Sequence, residues 1–174
     1  MDYRIEKTKQ SIRGAFLELR SRKELERITV KELCELAKIN KSTFYAHYRD
    51  IYDLSEQIES EIISDIIAGI NSIEDVFSNT FEFTKSLFMA YAERNSLITA
   101  VFSGSRKERL PKRIHAAIKE LFFSQYPQFA DDPEKNIILT LSVYGGYYAF
   151  SENREYGDDV VIDVIGEASS LLLK

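Results

Sequence analysis

The sequence predicts an all-α protein. An N-terminal three-helix unit with a helix-turn-helix, residues 1–50, is joined to a C-terminal helical body, residues 51–174. Three observations carry this expectation. Only seven glycines and three prolines occur in 174 residues, which leaves few turn signals. Apolar residues recur at three- and four-residue spacing rather than alternating. Two short helical patterns, in ITVKELCELAK and KSTFYAHYRD, are joined so tightly that they must cross at a steep angle.

The first helix is expected from Tyr3 to Ser21. Ile5, Ile12, Ala15, Phe16 and Leu19 form its apolar stripe, and its arginines and lysines lie on the other side. After the connector RKELER, Thr29 and Glu32 have capping-box spacing, so a helix starts there. Val30, Leu33, Cys34 and Ala37 are its buried face, and it ends near Lys38. Asn40 is suited to cap the next helix.

Longer helices follow, at Tyr52–Ile70, Phe77–Asn95, Ser96–Ser103, Arg106–Gln125 and Pro133–Glu152. The last begins at Asp158-Asp159, where carboxylates complement the helix dipole, and continues to the end.

The net charge of −5 does not announce a polyanionic partner, but it is an average. Residues 1–50 hold 12 Lys and Arg against 8 Asp and Glu, a net of +4; the remainder holds 11 against 20, a net of −9. Such asymmetry marks either a basic contact surface on an acidic body or plain fluctuation. Composition is that of a folded soluble protein, with 44% hydrophobic and 29% charged residues. A single cysteine, Cys34, excludes an internal disulfide and fits a reducing compartment. No apolar run approaches a membrane span, and Met1-Asp2-Tyr3-Arg4 does not open a signal peptide, so a cytoplasmic protein is expected.

KSTFYAHYRD resolves by angle. At about 100° per residue, Phe44 and Tyr48 share a face and pack on Val30, Leu33 and Ala37. Ser42, Thr43 and Ala46, all small, lie opposite, with Tyr45 and His47 on the flanks. Small outward groups allow close approach to a DNA groove, and a flanking phenol and imidazole can reach its phosphates. Thr29, Lys41 and Thr43 gather at the N-terminal ends of two helices, where amides favour phosphate. The competing reading makes each ring a half-buried surface residue.

The stretch ITVKELCELAKINKSTFYAHYRDIYDL, residues 28–54, resembles the DNA-binding signature of the TetR/AcrR family of bacterial transcriptional regulators. Ile39, Asn40, Lys41, Ser42, Thr43, Phe44, Tyr45, His47 and Tyr48 fall on that pattern in register. The resemblance implies a homodimer with two DNA-binding heads on double-stranded operator DNA, released when an effector enters the helical body. By position it makes Thr29, Thr43, Tyr45 and His47 phosphate contacts, with Lys41, Ser42 and Ala46 facing base edges. Thr43 is open to either role. Two departures stand out. Lys38 occupies a place where the family usually has glycine, and Ile51 replaces a lysine that often opens the fourth helix. Arg49 or Arg27 is a candidate substitute for that lysine.

The body is rich in rings, among them Phe81, Phe88, Tyr91, Phe102, Phe122, Phe123 and Tyr126. They permit an apolar cavity for a small-molecule effector but also suit an ordinary core. In LSVYGGYYAF, Gly145 and Gly146 sit inside a helix at a cost of about 1 kcal/mol each, which calls for a packing reason. The pair resembles a Gly-Gly segment in the penultimate helix of a TetR subgroup, where it and the last helix form a four-helix bundle with the twin. On that resemblance Val143, Gly145, Gly146, Tyr147, Val164, Ala168 and Leu171 are dimer-interface candidates. Packing within one chain is the alternative. The input is either a small molecule or, as in some TetR-like proteins, a partner protein. His47 and His115 lie in different modules, and no metal-ligand spacing, phosphate loop or nucleophile motif occurs, so neither enzyme, metal nor cofactor is expected.

Overall fold

The computed structural model describes residues 3–70 and 79–172. Among these are nine α-helices and no strand: α1 Tyr3–Arg20, α2 Val30–Ala37, α3 Lys41–Tyr45, α4 Ile51–Ala68, α5 Thr80–Glu93, α6 Asn95–Val101, α7 Arg109–Gln125, α8 Pro133–Glu152 and α9 Asp158–Leu172. The helix start expected at Phe77 and the end expected at Lys174 lie outside the described residues. Two compact units form, Met1–Ile62 with Ser96–Lys107, and Ile63–Asn95 with Glu108–Lys174. The first contains residues 1–50 together with the start of α4 and a segment from the middle of the chain.

Ile12, Phe16, Leu33, Phe44, Leu54 and Ile58 are at most 2% exposed and form the core of the first unit. Ile5 does not join them. It is 43% exposed, because only the later turns of α1, from Ile12 onward, meet the core. At the start of α2, Thr29 Oγ1 accepts from the Glu32 amide at 3.2 Å. The reciprocal half of the capping box is replaced by an ion pair, Lys23 Nζ to Glu32 Oε1 at 2.7 Å. α2 stops where Lys38 turns left-handed, at φ 56° and ψ 44°. There the Ile39 amide reaches back to the Cys34 carbonyl at 3.0 Å. A side chain in this conformation is strained by about 1 kcal/mol. Lys38→Gly should therefore raise stability by about 0.5–1 kcal/mol in urea unfolding, with the helix-turn-helix unchanged.

Residues 96–107 are fastened to α1 and α4 by buried charge. Arg20, 3% exposed, donates through Nη2 to the Val101 carbonyl (3.1 Å) and Ser103 Oγ (2.6 Å), and through Nη1 to the Lys23 carbonyl (2.9 Å). Glu59 is fully buried, accepts from Ser55 Oγ at 3.1 Å and pairs with Arg106 at 3.5 Å. Ser105 Oγ donates to Glu26 at 2.6 Å. Gly104 sits at φ +57°, a left-handed conformation that a residue with a Cβ rarely adopts. That backbone conformation explains why glycine occupies this turn.

In the second unit α9 packs on α5 and α8, and α7 packs on α8. Phe150 is central, with Phe88 at 5.2 Å and Tyr91 edge-on at 5.5 Å. Burial pushes the Tyr147 hydroxyl up to about 12. The corner between α8 and α9 is held by Arg154, which bonds both carboxylate oxygens of Asp158 (2.9 and 2.7 Å) and Asn95 Oδ1 (2.7 Å). The Arg154 guanidinium keeps the Asp158 carboxyl below its usual range.

Candidate nucleic-acid interface

The short helix α3 begins at Asn40, whose Oδ1 accepts three bonds: the Thr43 amide (2.7 Å), Thr43 Oγ1 (2.9 Å) and Ser42 Oγ (2.7 Å). A carbonyl oxygen has two lone pairs, so one hydroxyl can turn to another acceptor at little cost. Regular helix stops at Tyr45, yet the Tyr48 amide still bonds the Phe44 carbonyl at 2.9 Å. That bond keeps Phe44 and Tyr48 on one face. Phe44 is fully buried and Tyr48 6% exposed, with centroids 5.7 Å apart.

Fixing these two rings inward fixes what remains outside. Lys41, Ser42 and Ala46 are exposed, and Thr43 and His47 are half-buried. Tyr45 is 56% exposed, and its ring stands edge-on to Phe44 at 5.4 Å, which limits its swing. Thr29 is exposed; its oxygen caps α2 as an acceptor, leaving the hydroxyl proton free to donate. All seven predicted residues therefore belong to the first unit and present at least part of their surface to solvent.

The nearby cations differ in availability. Lys23 is tied to Glu32, and Arg49 to Asp53 at 3.1 Å. Among the described residues Arg27, Lys38 and Lys41 enter no ion pair, so their charge is open to an anionic partner. Arg49, one of the two substitutes considered for the missing lysine at Ile51, is already engaged, whereas Arg27 is not. Ile51 itself is 5% exposed and serves the core. Cys34 is buried, which raises its thiol pKa and makes it unreactive.

The chain was compared with known proteins. No family model and no curated protein matches it. Its fold is similar to a crystal structure from Shewanella sp. PV-4 assigned to the tetR family of transcription regulators. The TM-score is 0.53 at 16% identity, over 95% of each chain. The all-α fold is shared; at this identity the likeness is one of fold. Among the described residues no helix is long and apolar enough to cross a membrane, and no group of three acidic, His or Cys side chains could hold a metal ion.

The second-unit candidates separate into two sets. Gly146 is buried, and a Cβ there would come within 3.1 Å of Phe88 and 3.3 Å of Ile165, so it admits other helices of the same chain. Tyr147 is 8% exposed beside Tyr91, and Val143 lines a cavity between helices. Gly145, Val164, Ala168 and Leu171 instead face solvent. Sequence periodicity missed their neighbours Ile137 (66% exposed), Leu141 (55%) and Tyr148 (44%), because α8 carries apolar residues on every side. Of the rings expected around a cavity, Phe122 lines it, and Phe83 joins from α5.

Proposed function

We propose that this chain is a dimeric DNA-binding transcriptional regulator, a repressor that leaves a palindromic operator when a small apolar effector enters its second unit. The observation that carries the reading is the open face of α3. Two rings lock the helix from within, leaving Lys41, Ser42, Thr43, Tyr45 and His47 outward, with Thr29 at the neighbouring helix start. Residues 1–50 act as the head, with Lys41 and Ser42 toward base edges and Thr29, Thr43, Tyr45 and His47 toward phosphates. Arg27 adds an unpaired cation. The fold likeness to a tetR family regulator accords with this reading, as does a lone buried cysteine with a cytoplasmic setting.

The twin copy would cover two solvent-facing stripes, Ile137, Leu141, Gly145 and Tyr148 on α8, and Val160, Val164, Ala168 and Leu171 on α9. A helix apolar on all sides is ordinarily buried on all sides. Four such helices, two from each copy, make the bundle. An alternative input, a partner protein, draws on the shallow apolar groove formed by Ala149, Tyr156, Val160, Val161 and Val164. A chain that stays monomeric at micromolar concentration would favour it.

Fluorescence anisotropy with DNA from upstream of the gene tests the head. Binding should weaken steeply with salt. Lys41→Ala should cost about 1–3 kcal/mol and relax specificity, and Tyr45→Ala should weaken all sites alike. Binding that is insensitive to salt and to both substitutions would refute the reading.

A further inference from the structure

We propose that the first unit carries a binding site for a small phosphorylated polyol, such as a sugar phosphate. The site is the groove between the end of α1, the connector that follows it, and α6. Its volume is about 600 Å³, within the usual size of ligand sites. The groove lies wholly within the first unit, apart from the body proposed to take the apolar effector. It holds whether or not the chain binds DNA.

The charge on the walls selects an anion. Arg20, Arg22, Lys23 and Arg27 line the groove, and Glu24 is the only acid among the described lining residues. Arg20 is the fixed charge. Its side chain is wholly buried, and its bonds go to the carbonyls of Lys23, Val101 and Ser103 and to Ser103 Oγ, all neutral acceptors. Glu24 stands 3.9 Å from it, too far for a hydrogen bond, and Arg20 Nε is buried with no partner. Burial pushes the pKa of this guanidinium down. A buried cation hydrogen-bonded only to neutral groups gains from an anion drawn alongside it. Arg27 is exposed and enters no ion pair among the described residues. Arg22 and Lys23 hold Glu18 at 2.8 Å and Glu32 at 2.7 Å in partly exposed pairs. Such pairs have small net worth, so a dianion can take the place of either carboxylate.

The remaining wall selects what the anion is attached to. Ser96, Thr99 and Ser103 recur at three- and four-residue spacing along α6 and just past its end, on one face, and Ser21 joins them from the end of α1. Ser96 and Thr99 are exposed and make no side-chain hydrogen bond among the described residues. Their hydroxyls can each donate and accept. Among the described lining residues none is aromatic, and Ala100 is the only apolar one. A nucleobase would have nothing to stack on and an acyl chain nothing to bury against. A chain or ring of hydroxyls matches the wall.

Calorimetric titration of the full chain, in low-salt buffer without phosphate, compares glucose-6-phosphate, glucose and inorganic phosphate. The sugar phosphate should bind about tenfold tighter than inorganic phosphate, the worth of one or two hydrogen bonds, and glucose should not bind measurably. Arg27→Gln should weaken the sugar phosphate about tenfold. Glu24→Gln removes the like charge from the wall and should tighten it about threefold, a gain that damage to the fold would not produce. Thr99→Val should weaken the sugar phosphate about fivefold and leave inorganic phosphate within about twofold. The proposal is overturned if glucose-6-phosphate does not bind, or if glucose or inorganic phosphate matches it. It is equally overturned if Arg27→Gln leaves the affinity unchanged, if Glu24→Gln lowers it, or if Thr99→Val affects both anions alike. DNA binding that Arg27→Gln weakens, in a chain that takes no sugar phosphate, would give Arg27 to the DNA face and overturn this site. Sugar-phosphate binding without DNA binding would leave this site standing and sink the regulator reading.

Discussion

Val164→Asp should convert the proposed dimer into a monomer. At 60% exposure in the single chain the new carboxylate stays hydrated, so monomer stability changes by less than about 0.5 kcal/mol. In a four-helix interface the same carboxylate would be buried without a partner, at a cost of about 3–5 kcal/mol. Sedimentation should show association weakened at least a hundredfold. Affinity for the proposed operator should fall with it, because two linked heads would bind a palindrome far more tightly than one. A dimer that survives this change would place the twin contact on another face.

Arg106→Met should destabilise the first unit strongly. Glu59 is wholly buried, and the substitution removes the guanidinium that pairs with it at 3.5 Å. Removing one member of a buried pair typically costs about 3–5 kcal/mol. Urea unfolding followed by circular dichroism should register that loss. Arg106→Met combined with Glu59→Leu should recover most of it, because two apolar groups leave no stranded charge. A single variant as stable as the parent would show that the pair is hydrated in solution.

Local chemistry made part of this molecule readable from its sequence. Thr29 and Asn40 act as caps where their spacing indicates, and the 100° rule placed Phe44 and Tyr48 inside because one helical bond persists beyond Tyr45. Asp158 opens α9 as its charge predicts. What local pattern could not carry was pairing across distance. Arg20 and Glu59 look like solvent-face charges on amphipathic helices, and both are buried because partners more than forty residues away meet them. Gly145 and Gly146 are adjacent and chemically identical, yet one faces solvent and the other a phenylalanine ring. Their difference lies in which side of α8 the body covers, and a helix apolar on every side gives no angular signal of that.

The clasp between Arg20 and residues 101–103 also orders events in time. During synthesis the first 62 residues leave the ribosome well before residue 107, by several seconds at about 5–20 residues per second. Until then Arg20 lacks its acceptors at Val101 and Ser103, and Glu59 lacks Arg106. The head is thus finished by a stretch of chain made after the segment from residue 63 to residue 95. A fragment cut at residue 62 would carry every residue proposed to touch DNA and still be incomplete.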